Sequence, residues 1–520
     1  MPYDPAWVGN HSLANIACEE VPDLIVSPHD WLSDKSDDWL AEHAIRRAQI
    51  GPSFIPTRRV LGEYFADQFV MLAAKAKCDG LQVECRVNVH VTDVVPKNEQ
   101  GFDVIYQKSA AACVSRLSVD SVVLATGHEW PTMSAVGRQY LPSPWPISKL
   151  EALEAKKIGI IGSSLSAVDA CLTLGMKNGR FVRDFDGRLE FVPNVEARDL
   201  KMVMHSRSGL LPSQRFHFEY PRIQPHQYIN ESDIRAHINS NDGFLSLDFI
   251  YEKSFKQTVK EKSPVLFAHI ADMDLEGFVS FMYRSRQHKD QFEFMRREFE
   301  ASSASIRNRE PIFWKEILDD VAYTLNFYAK YLGKRDFDRA RSRLMPLVAH
   351  VVAFLPQQSC EQLLALHQAG ILSISAVCDG WMVSEDRETS KLVLSYSKSE
   401  MSEWRSMEYD AIVDCRGQQP TAFESFPFAS LSREGRVVPA RVGSRRGGPF
   451  AVNYGVPCGG VDVDDQFRAI NSTGEANVDL FVLSGPHISG LYPYHPGLPF
   501  CNEATRIVAQ AICDAQDVRQ

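Results

Sequence analysis

An α/β protein with two doubly wound lobes and a mainly helical insertion is the fold class this 520-residue sequence predicts, and three segments predict it. The first, Lys157 to Ala170, reads KIGIIGSSLSAVDA: a short apolar strand, a glycine turn and the start of a helix. The other two are Asp120-Ser-Val-Val-Leu-Ala-Thr-Gly-His128 and Tyr409-Asp-Ala-Ile-Val-Asp-Cys-Arg-Gly417, each an acidic residue, a hydrophobic strand and a glycine turn. Continuous apolar runs mark parallel strands buried on both faces, and open α/β sheets hold ligands at the carboxyl ends of such strands.

In a nucleotide-binding βαβ unit, Gly162 would permit the tight turn, the small Ser164 would let a pyrophosphate approach the backbone, and Ala167 would allow close helix-strand packing. The amides of Gly162, Ser163, Ser164, Leu165 and Ser166, at the positive end of the helix dipole, are the candidate phosphate donors. Ser164 stands in place of the usual second glycine, so the fingerprint is imperfect, and an ordinary strand-turn-helix matches it too. The flanking segments favour the ligand-binding reading. Their order around the motif resembles the two chain crossings between the FAD and NAD(P)H domains of two-dinucleotide flavoproteins, which implies two Rossmann-like dinucleotide-binding domains and puts Thr126, Gly127 and Gly417 at cofactor-facing strand ends. Two ordinary core strands are the plain alternative.

Composition sets the bounds. Hydrophobic residues make up 44% and charged residues 23%, values of a globular protein with a large core, and the length suggests two to four domains. A net charge of −10 with no dominant lysine-arginine block argues against a nucleic-acid partner. The eleven cysteines include no CxxC pair, so neither a disulfide framework nor a zinc site is expected. With no leader-like start and no run of eighteen apolar residues, a cytoplasmic protein without a membrane segment is the default.

Along the chain, Met1 to Asn10 is turn-rich, and Pro28-His-Asp-Trp-Leu32 starts a helix. From Pro56 an amphipathic helix covering a sheet is expected, with Val60, Tyr64, Val70 and Leu72 on its apolar face. Leu81 to Val87, Asn88 to Val95, Gly101 to Gln107 and Leu117 to Ala125 read as strands. The βαβ unit closes at Leu200 to His205, and the stretch between Gly179 and Arg198 is long enough for a small hairpin. Residues 213–350 are dense in aromatics and charges, and Phe313 to Tyr328 repeats apolar residues at three and four, so a helical cap is expected. Leu344 to Ala369 reads as helix, with strands at Leu372 to Val377 and Leu392 to Tyr396. The expected division is 1–146 and 406–520 for the FAD-binding domain, 147–212 and 345–405 for the NAD(P)H-binding domain, and 213–344 for the insertion.

The second strand of such a unit ends in a carboxylate when it holds the ribose of NAD, and in an arginine when it accepts the 2′-phosphate of NADP. Here it ends His205-Ser206-Arg207, so Ser206 and Arg207 favour NADPH; a solvated surface arginine is the other reading. Near the end come a buried strand to Leu483, a glycine- and aromatic-rich loop with Gly485 and Gly497, and a closing helix. The amino end of that helix could stabilise negative charge on a reduced flavin, making Gly497, Leu498 and Asn502 candidate contacts beside Gly485. A terminal helix tucked against a sheet explains the same pattern. His128, His487 and His495 sit near strand ends where they could move protons, yet each suits a structural role. Asp4, Asp169 and Glu503 show no pairing by spacing, no side chain stands out as catalytic, and no hydrolase elbow, HExxH or P-loop is present.

Taken together, Met1-Pro-Tyr3 with Leu13-Ala-Asn-Ile16, Phe54-Ile-Pro-Thr-Arg-Arg59 with Gly62-Glu-Tyr64, Ala125-Thr-Gly-His128, Gly162 to Ala167 and Met204-His-Ser-Arg207 resemble one family. It is the bacterial FAD/NAD(P)-binding flavoproteins grouped with flavin-dependent urate hydroxylase and aspartate N-hydroxylase. The resemblance implies a flavoprotein that binds FAD, is reduced by NADPH, and activates oxygen to hydroxylate a small polar molecule: an oxidoreductase of the monooxygenase kind. Such proteins open with a strand-GxGxxG-helix unit that cradles the FAD pyrophosphate, and no such unit stands before Met1. The chain as written is therefore expected to bind FAD weakly or not at all, whereas an upstream-extended version should purify yellow. A scaffold retaining one dinucleotide site is a competing reading. A dithiol reductase is another, although Cys415 and Cys458 lack redox spacing. Nothing in the sequence speaks to substrate identity or oligomeric state. Substituting Arg207→Ala should raise KM for NADPH far more than for NADH, and equal effects in steady-state kinetics would remove the assignment.

Overall fold

The computed structural model describes residues 7–9, 11–97, 100–108, 113–128, 136–137, 139–220, 228–378, 380–397, 403–417, 421–443, 455–493 and 497–517. Five parallel strands make its largest sheet, in the order Leu372–Ala376, Lys201–Ser206, Lys157–Ile161, Ala411–Asp414, Tyr140–Leu141. Ile158, Ile160, Met202, Met204 and Ile412 are fully buried within it, as expected of strands covered on both faces. Helices Leu165–Asn178 and Gln357–Gln368 pack together against this sheet, with Gly175 under the Leu366 side chain.

A second assembly joins Val122–Leu124 in parallel to Ala476–Val482, with Arg468–Ile470 antiparallel on the outer side. Here the apolar run read as one strand, 117–125, divides. Ser115–Val119 belongs to a three-stranded antiparallel sheet with His90–Pro96 and Phe102–Gln107, and the chain turns at Asp120-Ser121 before entering the parallel pair. The expected hairpin is Gly179–Arg183 paired with Leu189–Pro193.

Three sequence readings are corrected. Residues 81–87 form no strand; Leu81 and Val87 are 64% and 75% exposed, so the alternating pattern there has no sheet to bury it. The helix from Pro56 is Arg58–Cys78, capped by the Thr57 hydroxyl accepting from the Val60 amide. Val60 and Tyr64 are buried, but Val70 and Leu72 are exposed because the helix runs past its partner. That partner is not a sheet but the small cluster of Ala14, Ile16, Trp31, Leu32 and Leu40. Finally, the helix expected over 344–369 is two, Met345–Val351 and Gln357–Gln368; the expected strand Leu392–Tyr396 is present, at the centre of an antiparallel sheet whose other strands, Trp381–Glu385 and Arg405–Tyr409, are mostly exposed and lack an apolar run.

Residues 231–351 form a series of helices joined by short connections, from Glu231–Ser240 to Met345–Val351, and include two π-helical turns, Tyr251–Lys256 and Ala340–Leu344. Their core is one cluster continuous with that of the 122–124 and 476–482 strands. Among the described residues no helix is long and apolar enough to cross a membrane, and no group of three or more His, Cys, Asp or Glu could hold a metal.

The strand Val456–Val461 passes so close to the turn after Ser484 that a Cβ at Gly460, whose φ is +76°, would lie 2.1 Å from the His487 carbonyl oxygen. Gly460→Ala is expected to cost clearly more than the about 1–2 kcal/mol of left-handed strain alone. Gly187→Ala, at φ +78° with nothing within 4 Å, should cost only that strain; denaturant titration of the two variants gives the comparison.

Candidate dinucleotide site

The Gly162 turn sits where three strand ends converge. The Gly162 amide donates to the His205 carbonyl and the Cys415 amide to the Ile161 carbonyl, both at 2.7 Å. Gly162 has φ +117°, and a Cβ there would lie 3.0 Å from the Cys415 carbonyl oxygen, so only glycine fits without strain. The Ser163 hydroxyl turns inward to the Leu210 carbonyl at 2.8 Å. Ser164 is the helix N-cap but makes no side-chain cap bond. The first-turn amides of Leu165 and Ser166 therefore have no intrahelical acceptor and no capping hydroxyl, at a mouth where Ser164 is exposed. Ala167 is fully buried against the sheet. A helix start of this kind can accept an anionic group.

Beside it, the 201–206 strand ends in a short turn closed by the Gly209 amide donating to the Ser206 hydroxyl at 3.0 Å. Ser206 thus shapes the loop that presents the exposed Arg207. His205 is buried, 2.7 Å from the Tyr409 hydroxyl, and burial pulls its imidazole down to about 4, leaving it neutral.

At the carboxyl ends of the 122–124 and 476–482 strands, the Thr126 and Ser484 hydroxyls hydrogen-bond at 2.6 Å, and the Leu483 amide donates to the Leu124 carbonyl at 2.8 Å. Thr126, Gly127 and Gly485 therefore share one strand-end position. Gly417, at φ +81° with nothing within 4 Å, lies on the connection between the two sheets. That connection leaves Cys415, against Gly162, and reaches Thr421, whose amide donates to the Pro486 carbonyl at 3.3 Å. Six residues span at most about 22 Å, so the two sets of strand ends lie within that reach.

The other candidates lie on other elements. Leu498 opens the Leu498–Asp517 helix after Gly497 and packs against the Ala14 to Tyr64 cluster, while Asn502 is exposed on the next turn. His487 is buried against the Phe426 ring, and His128 is half-buried. Asp4 and His495 lie outside the described residues. Asp169 has a partner that spacing did not reveal: Arg58, 3.0 Å away at the start of the 58–78 helix. Glu503 pairs with Arg506 at 2.6 Å. Cys415 and Cys458 are buried free thiols, and burial drives the Cys415 thiol well up.

Sequence reading also passed over Glu316 and Asp320, one turn apart on the Phe313–Tyr328 helix, both buried. Glu316 accepts from the Glu219 amide at 3.2 Å and Asp320 from the Tyr228 amide at 2.9 Å. Burial pushes Glu316 up to about 7 and Asp320 up to about 8. Two carboxylates one helical turn apart, on a helix whose apolar residues recur at three and four, were the available signal.

Residues 6–129 match the model of the FAD-NAD(P)-binding family, and residues 230–352, the span of the helical unit, match that of the YdhS-like middle domain. The chain is 26% identical over 436 residues to "Uncharacterized protein YdhS" of Escherichia coli (strain K12), covering 84% of this chain and 79% of that protein. Among solved structures, the ornithine N-hydroxylase of Kutzneria sp. 744 aligns over 99% of this chain and 90% of its own, at 13% identity and a TM-score of 0.46. The L-lysine 6-monooxygenase of Pseudomonas syringae aligns over 96% and 87%, at 13% identity and a TM-score of 0.39.

Because Glu316 and Asp320 hold protons in the folded state at pH values where an unfolded carboxyl has lost its own near 4, stability should fall as pH rises from about 4 through about 8. Asp320→Asn keeps an acceptor for the Tyr228 amide and should flatten that decline in melting temperature against pH. An unchanged slope would contradict the assignment.

Proposed function

We propose that the chain is an FAD-dependent, NADPH-using oxidoreductase of the monooxygenase kind acting on a small polar molecule. The observation that carries this is the Gly162 turn: a side-chain-free anion cradle joined by the short 415–421 connection to a second set of parallel strand ends at Thr126 and Ser484. The match of residues 6–129 to the FAD-NAD(P)-binding family supports it.

On this reading NADPH lies over Gly162 to Ala167, its pyrophosphate on the first-turn amides and its adenosine ribose toward Ser206 and Arg207. FAD lies at the Thr126-Gly127 and Gly485 strand ends, with Gly417 at the crossing and Gly497, Leu498 and Asn502 toward its ring. When bound, the flavin and nicotinamide supply the redox chemistry. The chain's part is to orient them and exclude water. In the corresponding domain division, 1–146 and 406–520 hold FAD, 147–212 and 345–405 hold NADPH, and 213–344 shape substrate choice.

Protein supplied with FAD should consume NADPH in an oxygen-dependent manner, and Gly162→Val should weaken NADPH binding by at least about tenfold while leaving the flavin absorbance of the protein unchanged. NADP(H) binding with no oxygen-dependent oxidation at any flavin concentration would instead favour a non-catalytic scaffold.

A further inference from the structure

Three neighbouring parallel strands end at the Gly162 turn. In the order of the sheet, Arg207 follows the 201–206 strand, Gly162 follows the 157–161 strand, and Arg416 stands two residues past the 411–414 strand. Asp414 is in register with Ile161, and the Arg416 amide nitrogen lies 3.5 Å from where a Gly162 Cβ would be. With neighbouring strands about 4.8 Å apart, the two arginine-bearing strand ends flank the glycine across about 10 Å.

Arg416 is held unlike an ordinary surface arginine. The Asp414 carboxylate accepts from its Nε at 3.0 Å and its Nη2 at 2.6 Å, and also from the Tyr140 hydroxyl at 3.0 Å. The guanidinium carbon lies 4.7 Å from the centre of the Trp381 ring. Asp414 is buried, yet 44% of the Arg416 side chain is exposed. The carboxylate takes one edge of the planar fork and leaves Nη1 on the other. Because clasp and stacking fix the side chain in advance, little rotamer entropy is lost when that second edge meets an acceptor.

Trp381 also links the two flanks. The Val377 and Cys378 amides donate to the Ser206 and Arg207 carbonyls at 3.0 and 3.3 Å, and Trp381 follows three residues later, a reach of at most about 11 Å. It packs on the sheet face that carries Ile161 and Ile412, whereas the 165–178 helix covers the other face. The Gly162 turn therefore has helix-start amides on one face and the Arg416 side chain on the other.

Resting on the nucleotide reading above, we infer that Arg416 is a second phosphate contact: with Arg207 at the adenosine end, the Nη1 edge of Arg416 takes the nicotinamide-side phosphate of the NADPH pyrophosphate. Asp414 and Trp381 are positioning residues for that guanidinium. Arg416 thereby fixes the dinucleotide on its way to the crossing at Gly417.

Calorimetric titration of the full chain with NADP+ and with 2′,5′-ADP, which lacks the nicotinamide-side phosphate, tests this without turnover. Arg416→Ala should lose about tenfold of the affinity for NADP+ while 2′,5′-ADP binding stays within about twofold. That change strands the buried Asp414 carboxylate, so Arg416→Ala combined with Asp414→Asn is measured beside it and should show the same selective loss. Trp381→Leu, which frees the guanidinium to move, should lose about threefold for NADP+ alone. If these variants weaken the two ligands alike, or change neither, the inference is overturned, and binding of both ligands by the unmodified protein leaves the nucleotide reading intact. Binding of neither by the unmodified protein would overturn that reading and this inference with it.

Discussion

Everything at these strand ends depends on how closely they crowd Gly162. Hydrogen bonds from Gly162 to His205 and from Cys415 to Ile161 draw the ends of the 201–206 and 411–414 strands onto the turn. No Cβ fits there without strain, and the helix must begin at once. The chain therefore passes from strand to helix in the few residues from Gly162 to Ser164, with the Ser163 side chain turned away into the Leu210 carbonyl. A helix start without a side-chain cap, at a positive dipole end, is the direct result. The same crowding sets Arg416 and Gly417 at the rim, where Arg416 pairs with Asp414 and lies over the Trp381 ring.

The helical insertion is tied to this edge by charge rather than by apolar packing alone. Burial pushes Glu298 up, but Lys315 and Arg286 more than reverse that and hold its carboxyl far below the ordinary range. Removing Glu298 would leave two buried cations uncompensated, a loss of about 3–5 kcal/mol. A second ionic knot centres on Asp465. Lys330, 2% exposed, reaches the Asp465 carboxylate at 2.6 Å and the Tyr492 hydroxyl at 2.9 Å, and Arg235 meets Asp465 at 2.8 Å. The Glu298 knot joins helices 275–286, 291–308 and 313–328 to one another and, through the Ser213 hydroxyl donating to Glu298 at 2.9 Å, to the strand leaving the Arg207 loop, while the Asp465 knot joins helix 231–240 and Lys330 to the region before the terminal helix.

Where local pattern and tertiary burial agree, the sequence was readable. The runs at 157–161, 201–206 and 411–414 are buried on both faces, so composition alone marks them as central parallel strands. The hairpin at 179–193 followed from loop length, and the helical insertion from apolar spacing. Reading failed where burial is one-sided or missing. The strands at 381–385 and 405–409 are mostly exposed and carry no run to notice, whereas 81–87 alternates convincingly but has no partner strand.

The glycine turn, the Ser206-Arg207 strand end and the three apolar segments were determined by residue type, because φ above zero, close backbone approach and two-sided burial each restrict which amino acids can serve. Partnership was decided only in three dimensions. That Arg58 meets Asp169, that His350 reaches Ser208, and that Glu316 and Asp320 clasp amides of Glu219 and Tyr228 are contacts between residues 92 to 142 positions apart. Sequence spacing carries a signal only for neighbours along one helix or strand; contacts across such separations are set by how the sheets and helices pack.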